Sequence, residues 1–215
     1  WMPSIEIADS TFTANRGRGV LLQTRNALLR NCRFEDISGP AVVVYFDPRN
    51  IHKEAITARN VEIRGNRIVR CPRFRNLAGI AVYAHVHKPE TRQHTDYAPA
   101  GVFRDIRIVD NEIRNLANLG IYASSVDGLL VKNNRLADLN RHPILYWWEG
   151  AAEHAMAFRS CRNVRIAGNS ATDTHDNQPA TVGLMTGTEP DTVIFTDNRN
   201  LVLRQNNETP SADKN

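Results

Sequence analysis

The chain lacks any run of ~18 apolar residues, so no membrane-spanning helix is encoded. It holds only 3 cysteines in 215 residues, Cys32, Cys71 and Cys161, far apart and without a CxxC pair. So sparse and odd a set excludes a disulfide framework and suits small buried residues. No Asn-Gly dipeptide occurs, which argues against the tight hairpins of an antiparallel sandwich. No acid cluster is dense enough to hold calcium. Charge of one sign is not concentrated either: 27 basic and 23 acidic residues leave a formal +4. The arginines are scattered over nearly every turn and read as solvated surface, so no nucleic-acid partner is expected. Nothing resembles a signal peptide, and the chain begins at Trp1 in mid-pattern.

What the chain does contain is a repeat. Apolar residues at positions 1, 3 and 8 with Asn at position 6 recur at Val61-Ile63-Asn66-Ile68, Ile106-Ile108-Asn111-Ile113, Leu129-Val131-Asn134-Leu136 and Val164-Ile166-Asn169-Ala171. Ile5-Ile7-Ser10-Phe12 and Ala27-Leu29-Cys32-Phe34 carry another small residue in place of Asn, and Leu201-Leu203-Asn206 is a degraded copy. Successive ladder positions lie 22, 34, 45, 23, 35 and 37 residues apart. The two shortest spacings define the bare coil, and the longer ones are coils with insertions. Apolar residues of period 2 make a short strand with one face buried. Asn tolerates the left-handed backbone of a sharp bend, and its amide bonds to an equivalent amide in the next coil. The expected fold is therefore all-β: a right-handed, single-stranded parallel β-helix of about seven coils, one domain over residues 1–215 with a tail at 207–215.

A second strand follows each ladder turn, at Gly19–Leu22, Ala41–Val44, Gly79–Val82, Gly120–Ala123, Pro143–Tyr146 and Thr181–Leu184. Insertions then enter mostly after that strand, at Asp47–Ala58, Val86–Val102, Trp147–Ser160 and Gly187–Asn198. Insertions at one corner of a solenoid form loops on one face, often the binding face. Aligning Val20, Ala41, Ile80, Ile121, Ile144 and Val182 as inward residues leaves Tyr83 and Trp147 outward, with His85 two residues beyond Tyr83. Two rungs of about 4.8 Å would set the Tyr83 and Trp147 rings roughly 10 Å apart, as a platform for sugar rings.

Glycoside hydrolysis needs two carboxyl groups flanking the scissile bond. The acids near the proposed face are Asp47, Glu54, Glu149 and Glu153. Glu149 follows Trp147-Trp148, whose apolar walls favour a protonated general acid. Glu54 and Glu149 are the catalytic candidates, while Tyr83, His85, Trp147 and Asp47 are expected to bind substrate. Arg16 and Arg18 either pair with carboxylates between coils or bind sugar hydroxyls or a sugar carboxylate. His85, His87, His94 and Asp96 lack the accessory spacing of a metal site, so no metal or cofactor is expected.

The segment Asn15-Arg16-Gly17-Arg18-Gly19-Val20-Leu21-Leu22 resembles the N-R-x-R-G-V-L signature of bacterial β-helix exo-galactosidases acting on terminal α-1,3-linked galactose. Tyr122-Ala123-Ser124-Ser125-Val126-Asp127-Gly128-Leu129 resembles that family's distal coils. Of the family's W-x-E-S-G insertion, Ile51-His52-Lys53-Glu54-Ala55 keeps only the Glu. The family's adjacent aspartate pair is absent, so the resemblance implies that this chain is the C-terminal part of the β-helix and that the paired carboxylates precede it. It also implies an oligosaccharide or polysaccharide substrate and a secreted or periplasmic location. Missing N-terminal coils, or self-association through the open end, would cover the first coil. A glycan-binding or structural module, and a polyuronate lyase or epimerase, remain the other readings.

Overall fold

A computed structural model describes residues 4–46, 57–73, 78–86, 96–141, 154–172 and 178–205, the side chains of 85, 86, 96 and 97 excepted. The chain winds through three parallel sheets in turn. Sheet A stacks seven strands from Ile5–Ala8 to Val193–Thr196, and sheet B six short strands from Thr11–Thr13 to Ser170–Thr172. Sheet C stacks seven parallel strands from Val20–Leu22 to Leu201–Gln205, and Asp96–Tyr97 pairs antiparallel with its Ile80–Val86 strand. The repeat sets the register: Val61 pairs Ile106, Ile106 pairs Leu129, and Leu129 pairs Val164. Those residues and Leu29, Ile63, Ile108, Val131 and Ile166 fill one continuous core.

The ladder holds one column. Asn66, Asn111, Asn134 and Asn169 are almost fully buried. Each Oδ1 of Asn111, Asn134 and Asn169 accepts two bonds at 2.9–3.0 Å, from the backbone N–H and the Nδ2 of the preceding ladder Asn. Each Nδ2 also donates backwards, Asn111 to the Ile63 carbonyl and Asn134 to the Ile108 carbonyl. One amide thus ties three coils. Earlier in the chain, Cys32 takes the position, and its backbone N–H donates to Asn66 Oδ1 at 2.9 Å.

The left-handed residue is not the ladder Asn, as expected, but the residue before it. Asn31, Gly65, Asp110, Asn133 and Gly168 all have φ between 54° and 67°. The bend falls there because the ladder Asn must keep an ordinary backbone to aim its amide along the stack. The last rung also differs from the expected copy. Asn169 continues to Asn198, 29 residues on, through N–H and Nδ2 bonds at 3.0 Å to its Oδ1. Leu201–Gln205 belongs to sheet C, beside Ala180–Leu184. Residues 187–198, expected as an insertion, therefore hold an ordinary coil passage, with Val193–Thr196 in sheet A.

Sheet A alternates inward apolar and outward polar residues, as in Val61-Glu62-Ile63-Arg64. Its outer face is solvated. Ion pairs lace the outer surfaces: Arg70 bonds Glu35 and Asp36 at 2.7 Å, and Arg162 bonds Asp127 at 2.9 Å. Hydrogen bonds from Arg33 and Arg70 lower the Glu35 pKa, one from Arg70 lowers that of Asp36, and those from Arg162 and Asn163 lower that of Asp127.

Two outcomes follow from this architecture. Asn111→Leu removes the acceptor of the Asn66 N–H and a donor to the Ile63 carbonyl, and leaves Asn66 Nδ2 only its bond to the Leu29 carbonyl. It is expected to cost about 3 kcal/mol, read from urea unfolding, and an unchanged midpoint would refute the ladder's role. Because the Glu35, Asp36 and Asp127 carboxylates titrate lower in the folded chain, their contribution is complete above the unfolded value near ~4 and fades as pH falls through the folded values. Asp36→Asn should therefore flatten the acid side of the stability–pH curve, measured by unfolding midpoints between about pH 2 and 6. A slope equal to that of the wild type would contradict the assignment.

Candidate functional site

Sheet C differs from sheet A in being buried on both faces. Inward lie Val42, Ile80, Ile121, Met156 and Val182, and outward lie Val43, Ala81, Tyr122 and Ala157, each no more than 1% exposed. Parallel strands covered on both sides read as continuous apolar runs, which explains Val42-Val43-Val44 and Ile80-Ala81-Val82. The covered outer face carries its own small apolar cluster of Ala78, Leu119, Tyr122, Ala157 and Met185, with Tyr83 packed against it.

The register of this sheet decides which polar groups share the face. Val20 pairs Val42, not Ala41, so Val44 points into the core and Tyr45 points outward beside Tyr83. The alignment of Ala41 as the inward residue, which would turn Val44 outward, is thus corrected. Ile121 pairs Met156, which makes Met156–Arg159 the strand of that coil. Pro143–Tyr146, the strand expected there, lies outside the described residues, and Arg159 takes the place expected for Trp147, next to Ser124. The physical reason is the small residue before the strand: Gly120 and Ala155 both precede the first inward residue, and Gly120 N–H donates to the Ala155 carbonyl at 2.8 Å.

The column along the C-terminal ends of these strands is therefore Gln23, Tyr45, Tyr83, Ser124, Arg159 and Met185. The Tyr45 and Tyr83 rings are 4.6 Å apart and tilted by 43°. Gln23 Nε2 reaches the Tyr45 carbonyl at 3.4 Å. Beyond them, Ser124 is fully buried and Arg159 is 8% exposed. A guanidinium so nearly removed from water is uncommon outside a built polar environment. Ser125, in the left-handed region at φ 64°, turns the chain out of the sheet, and its Oγ donates to the Ala98 carbonyl at 2.6 Å. That bond pins the returning end of the segment inserted after Ile80–Val86. Behind the face, burial pushes the Cys161 thiol up to about 12 and the Cys71 thiol to about 11, so both stay protonated and pack as small apolar groups.

The other edge of the sheet is polar too. His154 is buried, its Nδ1 lies 2.7 Å from Thr181 Oγ1, and Asn140 Nδ2 donates to its carbonyl at 3.1 Å. Its ring lies over Gly183, where an added Cβ would meet the imidazole at 2.3 Å. Only a glycine admits the ring so close to the strand.

Of the residues expected to form the site, Tyr83 lies on this face. His85 lies further along the same strand, paired with Tyr97. Arg16 and Arg18 are exposed in the turn that enters sheet C, shaped by Gly17 N–H and Arg18 carbonyl bonds to the Asn15 side chain. Neither pairs with an acid among the described residues. Asp47, Glu54, Trp147 and Glu149 lie outside the described residues. The expectation of one insertion corner is also corrected. Segments 47–56 and 87–95 follow sheet C strands, whereas 142–153 joins sheet B to the start of Met156–Arg159. Sequence reasoning missed Tyr45, Arg159 and His154. The repeated Val-Tyr dipeptide at Val44-Tyr45 and Val82-Tyr83 carried the register that would have found the first of them.

The described face thus carries two half-buried tyrosines beside a buried hydroxyl and a nearly buried guanidinium, groups of the kinds that bind sugar rings. None of the described residues of its seven parallel strands is an Asp or Glu.

No family model matches the chain. Curated relatives do. The chain is 30% identical over 152 residues to alpha-1,3-galactosidase B of Bacteroides fragilis, covering 68% of this chain and 25% of that protein. It is 33% identical over 141 residues to alpha-1,3-galactosidase B of Phocaeicola vulgatus, covering 63% and 23%. The chain therefore spans about a quarter of the length of these relatives. Among solved structures, the A-module of the Azotobacter vinelandii mannuronan C-5 epimerase AlgE6 superposes with a TM-score of 0.63 at 14% identity, covering 94% of this chain and 48% of that one. That likeness bears out the right-handed parallel β-helix, and the relatives bear out the resemblance to bacterial α-1,3-galactosidases.

Proposed function

We propose that this chain, homologous to bacterial α-1,3-galactosidases, is the region of an exo-α-galactosidase-type glycoside hydrolase that supplies substrate subsites. The observation that carries the reading is the 30% identity to alpha-1,3-galactosidase B over most of the chain. The outer face of sheet C supports it. Tyr45 and Tyr83, on neighbouring rungs with tilted rings, provide a platform for a sugar ring, and Arg159 and Ser124 lie further along the same column. In this reading Arg159 orients hydroxyls of the glycan with its planar fork of donors. Glu54 and Glu149 are proposed to face the substrate beside a carboxylate pair supplied by preceding coils, Asp47, His85 and Trp147 are proposed contacts to the substrate, and Arg16 and Arg18 proposed contacts at the entrance.

The unpaired edge of Ile5–Ala8 and the exposed Ile5 and Leu21 side chains suit further coils, or a second copy, stacked on the first coil. An enzyme acting on glycans outside the cytoplasm works in the periplasm or beyond the cell, and that location is proposed here.

Titration with a galactose-terminated trisaccharide, followed by intrinsic fluorescence, should show weak saturable binding, since a partial site desolvates few hydrogen bonds. Tyr45→Ala and Tyr83→Ala should each weaken it about tenfold, a loss of ~1.4 kcal/mol. Hydrolysis by the chain alone should be slow or absent. No response to galactosides, together with saturable binding of polyuronates, would replace this reading by a lyase or epimerase. Binding without any hydrolysis, even when further coils of the protein are present, would replace it by a glycan-binding module. Robust hydrolysis by the chain alone, abolished in Glu54→Gln or Glu149→Gln, would locate both carboxylates within these 215 residues.

A further inference from the structure

A trough of about 560 Å³ runs along the outside of the ladder corner, on the opposite side of the core from sheet C. We propose that it is a second saccharide site, selective for a glycan that carries anionic groups. The proposal stands apart from the reading of sheet C and shares no residue with it.

The ladder itself builds the trough. The corner needs a left-handed residue in every coil, and Gly65 and Gly168 fill that position without a side chain, leaving the groove open. At both glycines an added Cβ would also press on an Asn side-chain oxygen of the preceding coil. The floor is chemically silent, because the buried ladder amides spend their donors and acceptors between coils. Recognition therefore falls to the walls, and the walls are uneven. At one end Glu112 is held by Arg67 at 3.4 Å and by Arg114 at 3.6 Å. Asp110 accepts from Asn133 Nδ2 at 3.1 Å. At the other end Arg135 and Arg199 are exposed and form no ion pair with any described residue, and Ser170 lies on the rung between them.

Two rungs set these guanidinium-bearing positions about 10 Å apart, with a hydroxyl midway. Such a pair matches anionic groups on alternate units of an extended chain. The carboxylates at the other end decide the ligand class. Asp110 and Glu112 would repel a uniform phosphate polyanion, yet they accept bonds from sugar hydroxyls. The trough is lined by no aromatic residue on which a base would stack. A polyhydroxylated chain with spaced sulfate or carboxylate groups meets both ends.

The test uses fluorescence anisotropy with three end-labelled oligosaccharides of equal length: a sulfated galactan, an oligogalacturonate and a neutral galactan. At least one anionic oligomer should bind saturably and the neutral one about tenfold more weakly, with affinity falling as salt rises. Preference between the two anionic oligomers assigns the group as sulfate or carboxylate. Arg135→Ala and Arg199→Ala should each weaken binding roughly fivefold. Arg59→Ala, at an exposed sheet A position with no ion pair among the described residues, should leave it unchanged. Equal binding of the neutral oligomer, an equal loss in Arg59→Ala, or full competition by a single-stranded oligonucleotide would overturn the proposal.

Discussion

The fold depends on one recurring contact, the side-chain amide that bonds forwards to the next coil and backwards to the last. An Asn in this column satisfies buried backbone groups that the bend would otherwise leave without partners, in a place water does not reach. It acts only if its own backbone stays ordinary, and the strain of the bend is passed to the residue before it. That division of labour explains why the ladder column is nearly all Asn, while the preceding column accepts Asp, Asn or Gly. Those are the residues that visit the left-handed region at least cost.

With one corner fixed, the remaining turns are free to vary in length. Each coil is held by the ladder and by stacked strands, so an added segment costs little more than loop closure. Added segments therefore collect at the two ends of the sheet C strands and leave the ladder corner bare. The result is a solenoid with two unlike outer surfaces. Sheet C carries a covered face with tyrosines, a buried arginine and a histidine seated over a glycine. The ladder corner carries an open polar trough whose side chains come straight from the scaffold. The first surface is shaped by what is inserted, the second by the repeat alone.

The repeat was legible because its meaning is local. Val61, Ile106, Leu129 and Val164 declare themselves by period and by the Asn five residues on, and they pair as expected. Where two frames competed, the reading slipped. Leu201-Leu203-Asn206 imitates the sheet A pattern, whereas the true rung, Val193-Phe195-Asn198, ends on Asn200 where the repeat carries an apolar residue. Ala41 was preferred to Val42 because a run of apolar residues has no phase. Pro143–Tyr146 was preferred to Met156–Arg159 for the same reason: both runs are apolar, and only the partner strand distinguishes them.

The sequence by itself determined that the chain is a parallel β-helix, which residues point into its core along sheet A, and which Asn column binds the coils. Those properties follow from period and residue type within about ten neighbours. The tertiary structure decided the phase of sheet C, and with it that Tyr45 joins Tyr83 and that Arg159 replaces Trp147 on the outer face. That phase is set by hydrogen bonds between strands 21 to 41 residues apart in the chain, from Val182 with Leu203 to Ile80 with Ile121. A one-residue slip there exchanges the core for the surface.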